Sequence, residues 1–90
     1  DMAEQNFTIP TAEGLHARPA AKFVKLANRF KSEIWVQKGD EEINGKSIMG
    51  LMILAAEQGA VITVTAEGPD EAEAISQIGT LIDSGFEAEP

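Results

Sequence analysis

The stretch Val61-Ile62-Thr63-Val64-Thr65-Ala66 alternates strictly between two kinds of neighbour, and this constrains the fold more than any other feature. Alternation with a period of two is the mark of a strand with one buried face. Ile62, Val64 and Ala66 point one way; Val61, Thr63 and Thr65 point the other. A strand of this kind has to pair with other strands and to be covered on its apolar face.

The rest of the chain supplies both the pairing and the cover. Phe7 and Ile9 alternate with polar residues up to Pro10, which suggests a short strand. Pro19, Phe23, Leu26 and Phe30, widened by Ala20, Val24 and Ala27, recur at helical spacing and predict a helix from His16 to about Phe30. Ile34 and Val36 share a face of a strand over residues 32–38, with Trp35 opposite. Gly39-Asp40 predicts a turn into a polar return strand over residues 41–44. Ser47 suits the N-cap of an apolar helix from Ile48 to about Ala56, with Gly59 as its C-cap. Gly68-Pro69 opens a last helix whose expected buried face is Ala72, Ile75, Ile78, Gly79 and Ile82. The order is β-α-β-β-α-β-α: one small sheet, helices on one face, the other face open.

Ninety residues imply one domain, taken as 2–90, with Asp1 expected to precede a native start at Met2. The chain has no cysteine, which rules out a disulfide framework or a thiolate metal site and fits a cytoplasmic setting. A net charge of −8 argues against nucleic-acid or anionic-membrane binding. No apolar run is long enough to span a bilayer. Five of the seven basic residues nevertheless lie between positions 18 and 31. Arg18, Lys22, Lys25 and Arg29 form one stripe along the first helix. A stripe of this kind is either a solvated helix face or a docking surface for acidic partners.

The only histidine, His16, falls where that helix begins, because Pro19 favours the first turn. Unbonded backbone N–H groups and the positive end of the dipole make such a terminus an anion site. An imidazole there is either an ordinary terminal cap or a nucleophile beside a phosphate cradle, with Ala17 and Arg18 N–H groups and the Arg18 guanidinium as donors. Ser47 is fully explained by capping. The second helix carries more apolar residues than one helix can bury. Leu51 and Leu54 are assigned to the core, and Ile48, Met49 and Met52 to a partner-facing patch.

Gly14-Leu15-His16-Ala17-Arg18-Pro19-Ala20, followed by Gly45-Lys46-Ser47-Ile48-Met49-Gly50 and by the segment over residues 58–74, resembles the HPr family over nearly the whole chain. This is the histidine-containing phosphocarrier of the phosphoenolpyruvate-dependent sugar phosphotransferase system. The resemblance implies an α+β open-faced sandwich with a four-stranded antiparallel sheet and three helices on one side. It implies that His16 takes a phosphoryl group on Nδ1, that Arg18 neutralises it, and that Ser47 is a kinase target in some bacteria. The implied partners are enzyme I as donor, enzyme IIA as acceptor and an HPr kinase/phosphorylase, each met by a monomeric, non-enzymatic carrier without cofactor or metal. Two other readings stay open: a carrier of the nitrogen-related branch, suggested by Asp83-Ser84-Gly85-Phe86, and a regulatory module acting through phosphorylated Ser47. Glu13 departs from the small polar residue many family members carry there: either its carboxylate turns into solvent, or phosphorylated His16 is less stable here.

Overall fold

The computed structural model describes residues 2–89; Asp1 and Pro90 lie outside the described residues, so the expectations about the chain's first residue and its last domain position fall there. The elements are β1 (Ala3–Thr8), α1 (Ala17–Ala27), β2 (Glu33–Lys38), β3 (Glu41–Asn44), α2 (Ile48–Leu54), β4 (Val61–Glu67) and α3 (Glu71–Asp83). The four strands form one antiparallel sheet in the order β1-β4-β2-β3.

Register carries the apolar alternation across the sheet. Phe7 stands opposite Ile62, and Val64 lies between Gln5 and Val36, which in turn faces Ile43. Ile34, Val36, Ile62, Val64 and Ala66 are fully buried on the helix-covered face. Thr63, Thr65 and Trp35 are half-buried on the open one. There the Thr63 hydroxyl donates to Asn6 Oδ1 across strands at 2.7 Å. Fully burying a side chain such as Ile or Val stabilises by about 1.5–3 kcal/mol, so this face dominates the sheet's stability.

The helices add Phe23, Leu26, Leu51, Leu54, Ile78, Leu81 and Ile82 to the same core. Helix α3 reaches β1 closely because Gly79 faces Phe7; a Cβ at Gly79 would lie 3.1 Å from the Phe7 ring.

Two helix ends and one buried face differ from the sequence expectations. Helix α1 ends at Ala27, where Asn28 Nδ2 donates to the Val24 carbonyl and Arg29 and Phe30 bond back three residues, tightening the last turn. As expected, Pro19 falls in the first turn of α1, as its third residue, among the N–H positions that have no intrahelical acceptor. Helix α2 ends at Leu54, and its C-cap is Ala55 in the left-handed region (φ 51°), with Gly59 in the following turn. On α3, Ala72 is exposed and Ala74 and Leu81 are buried, because the helix is rotated to place Ala74 and Ile78 toward the sheet.

Candidate functional site

Three segments meet at the start of α1. The first is the turn over residues 11–14, closed by a hydrogen bond from Gly14 N–H to the Thr11 carbonyl at 3.0 Å. Gly14 has φ +64°, and a Cβ there would lie 2.5 Å from the Ala56 carbonyl oxygen and 3.1 Å from the Glu57 Cα. A side chain at this position would be strained by backbone conformation and by contact alike. The second segment is α1 itself. The third is the turn after α2, strapped on by Leu15 N–H donating to the Ala56 carbonyl at 2.8 Å.

Leu15 is buried, and this anchor turns the next residue outward. His16 is the N-cap of α1 in extended conformation, with no capping bond from its side chain. Its side chain is 65% exposed. The His16 carbonyl accepts from Ala20 N–H at 2.9 Å, so the helix ladder starts there. Among the described residues, the N–H groups of Ala17 and Arg18 have no acceptor, and the exposed Arg18 guanidinium makes no ion pair. An accessible imidazole, two unbonded amides and a free guanidinium are therefore gathered within three consecutive residues at a helix start. Glu13 is exposed in the preceding turn.

One neighbour escaped the sequence reading. Glu57 Oε2 lies 3.6 Å from His16 Nε2. No local motif signals this pairing; only the strap between Leu15 and Ala56 brings the two together.

The other site residues divide by environment. Lys25 is exposed on α1, and Arg29, expected on the same helix, is exposed in the turn after it, because α1 ends at Ala27. Lys22 is held elsewhere: its Nζ donates to the Phe86 carbonyl at 2.8 Å and pairs with Glu89 at 3.2 Å, leaving the side chain 23% exposed. The expected four-residue basic stripe is thus interrupted, because Phe86 and Glu89, after α3, engage Lys22. Ser47 Oγ accepts from Gly50 N–H at 2.9 Å as the N-cap of α2. Beyond it, Leu51 and Leu54 are buried, while Ile48, Met49 and Met52 are exposed, Met49 by 71%. Ile53, not assigned to the patch from sequence, is 66% exposed and extends it. Among the described residues, no three His, Cys, Asp or Glu side chains cluster in a way that could hold a metal ion, and no helix is long and apolar enough to cross a membrane.

Residues 3–84 match the family model described as "PTS HPr component phosphorylation site". The phosphocarrier protein HPr of Neisseria meningitidis serogroup A is 51% identical over 85 residues, covering 94% of this chain and 96% of that protein. The HPr-like protein Crh of Halalkalibacterium halodurans is 48% identical over 82 residues, covering 91% and 98% of the two chains. A crystal structure of HPr from Thermoanaerobacter tengcongensis superposes with a TM-score of 0.92 at 49% identity, covering 98% and 99%. Sequence, fold and the exposed histidine at a helix start agree: the chain belongs to the HPr family of phosphotransferase-system phosphocarriers.

Proposed function

We propose that this chain is a monomeric, cytoplasmic phosphoryl carrier, working as one domain over residues 2–90. It takes a phosphoryl group on Nδ1 of His16 from phosphorylated enzyme I and passes it to an enzyme IIA. It is a stoichiometric relay and is itself modified, without cofactor. The single observation that carries this reading is the exposed His16 ring at a helix terminus whose first amides have no acceptor among the described residues.

Transfer is an in-line displacement. The neutral ring nitrogen attacks phosphorus, the donor nitrogen leaves with its electron pair, and charge spreads over the three equatorial oxygens. The Ala17 and Arg18 amides and the Arg18 guanidinium are suited to receive those oxygens, so little reorganisation accompanies the step. The exposed Ile48, Met49, Met52 and Ile53 suit a docking face, and Lys25 and Arg29 suit steering of acidic partners.

The test is incubation with phosphoenolpyruvate and enzyme I, read by intact mass. One added phosphoryl group that disappears in His16→Ala and persists in Ser47→Ala supports the carrier. Absence of any adduct on the unaltered chain overturns it. Substituting the nitrogen-branch enzyme I in the same assay separates the two pathways.

A second reading, regulation through Ser47, is favoured by one observation: its hydroxyl sits at the edge of the apolar patch. Phosphate at a helix start leaves the helix intact while placing charge on a docking face. Ser47→Asp is then expected to keep wild-type helical content and slow transfer. A melted helix with an unchanged rate overturns it.

A further inference from the structure

We infer that Glu57 is a positioning residue for the phosphoryl relay: its carboxylate holds the proton of the His16 ring on Nε2 and so reserves Nδ1 for phosphorus. The inference rests on the carrier reading above and adds a residue to it.

Three observations support it. Glu57 Oε2 lies 3.6 Å from Nε2, and among the described residues it is the one carboxylate within ion-pair distance of the ring. Its backbone is fixed: the Ala56 carbonyl accepts from Leu15 N–H, the Glu57 carbonyl accepts from Ala60 N–H at 3.0 Å, and Gly14 packs on the Glu57 Cα. The side chain thus projects from a strapped turn beside the ring. The other charges at this end of α1 act differently: the Arg18 guanidinium and the open amides favour negative charge, as on a phosphoryl group, and Glu13 is exposed in the preceding turn.

A neutral imidazole carries its proton on one nitrogen and its lone pair on the other. A carboxylate facing Nε2 favours the form with the proton there, leaving the Nδ1 lone pair available. When Nδ1 attacks phosphorus, the donor nitrogen leaves with the electrons of its bond to phosphorus. The Nε2 proton stays, so the product is a phosphorylated imidazolium facing the Glu57 carboxylate. In the onward transfer the Nδ1–phosphorus electrons return to Nδ1, and the ring leaves neutral with its proton still on Nε2. No proton need be lost or gained in either direction. Glu57 stabilises the cationic form, from which phosphate departs most readily.

Two variants and two measurements test this. Nitrogen NMR shifts of the His16 ring, recorded where the ring is neutral, report which nitrogen carries the proton. The wild-type protein is expected to show Nε2–H. Glu57→Lys, which places a donor where the acceptor stood, is expected to raise the Nδ1–H population. Release of inorganic phosphate from phosphorylated His16 is expected to slow by about two- to fivefold in Glu57→Gln, the size of an exposed ion pair. It is expected to be slower again in Glu57→Lys. Unchanged ring shifts together with unchanged release rates overturn the inference, as does a shift confined to a variant whose circular dichroism shows unfolding. If the wild-type protein takes up no phosphoryl group, the carrier reading fails, and the ring shifts alone decide the role of Glu57.

Discussion

Asp70 and Ser32 lock the start of α3 to the entry of β2 through reciprocal hydrogen bonds. Asp70 Oδ1 accepts from both the Ser32 hydroxyl and, at 3.0 Å, the Ser32 N–H. Oδ2 accepts from Lys31 N–H at 2.9 Å, and Asp70 N–H donates back to Ser32 Oγ at 3.3 Å. Ser32 is the one buried polar residue of the core among the described residues, and this exchange satisfies it.

The same bonds set an acid limit. The Ser32 hydroxyl above all, with the Lys31 and Ser32 amides, holds the Asp70 carboxyl down from 3.8 to about 2. A carboxyl lowered on folding contributes stability that is complete above its ordinary value and lost as pH falls through the folded one. The urea midpoint of wild type should therefore exceed that of Asp70→Asn by a constant margin from neutrality down to about pH 3.8, and the margin should close toward about pH 2. A margin that stays constant to the lowest pH contradicts this.

Gly14 is expected to be the least replaceable glycine near His16. Its left-handed backbone alone costs an alanine roughly 1–2 kcal/mol, and contact with the Ala56 carbonyl and the Glu57 Cα adds to that. Gly59, at φ +87° with open space around its missing Cβ, supplies the control. Urea unfolding of Gly14→Ala should show the larger loss. Phosphorylation of His16 should slow in Gly14→Ala only.

Helix α2 presents two kinds of apolar residue. Leu51→Ala should cost about 2–5 kcal/mol, as for a fully buried leucine. Met49→Ala should change stability by less than about 0.5 kcal/mol while raising the KM for phosphoryl transfer from enzyme I. Equal stability losses in the two variants would refute the division.

Glu33 and Glu67 stand directly opposite one another across β2 and β4, and both are exposed. Like charges so placed repel, and an opposite pair contributes roughly 0.2–1 kcal/mol. Glu33→Lys is expected to raise the urea midpoint at low salt, with the gain shrinking as salt screens it. A lowered midpoint would show that repulsion between these two carboxylates does not govern stability where β2 meets β4.

Periodicity made most of the architecture legible. The Ile62-Val64-Ala66 alternation, the Phe23-Leu26 spacing and the Gly39-Asp40 turn each carry their structure in a few adjacent residues, and the order of elements followed from them. The endings were less legible. Helix α2 stops at Ala55, a residue with no propensity for the left-handed region, because the chain must turn there so that the Ala56 carbonyl can meet Leu15 N–H. Ala72 and Ala74 are chemically identical, and only the rotation of α3 against the sheet separates the exposed one from the buried one.

The candidate site divides in the same way. The order of residues already settles His16 at a helix start, the neighbouring Arg18, the cap at Ser47 and a surplus of apolar residues on α2, because each is a relation between residues a turn or two apart. Folding in three dimensions is needed to draw Lys22 to the Phe86 carbonyl, to leave Ile53 in the exposed patch, to set Asp70 against Ser32 and to turn Glu57 toward the imidazole. Those contacts join segments far apart in the chain, and the free energy that selects them comes from burial of the shared core, which no local pattern contains.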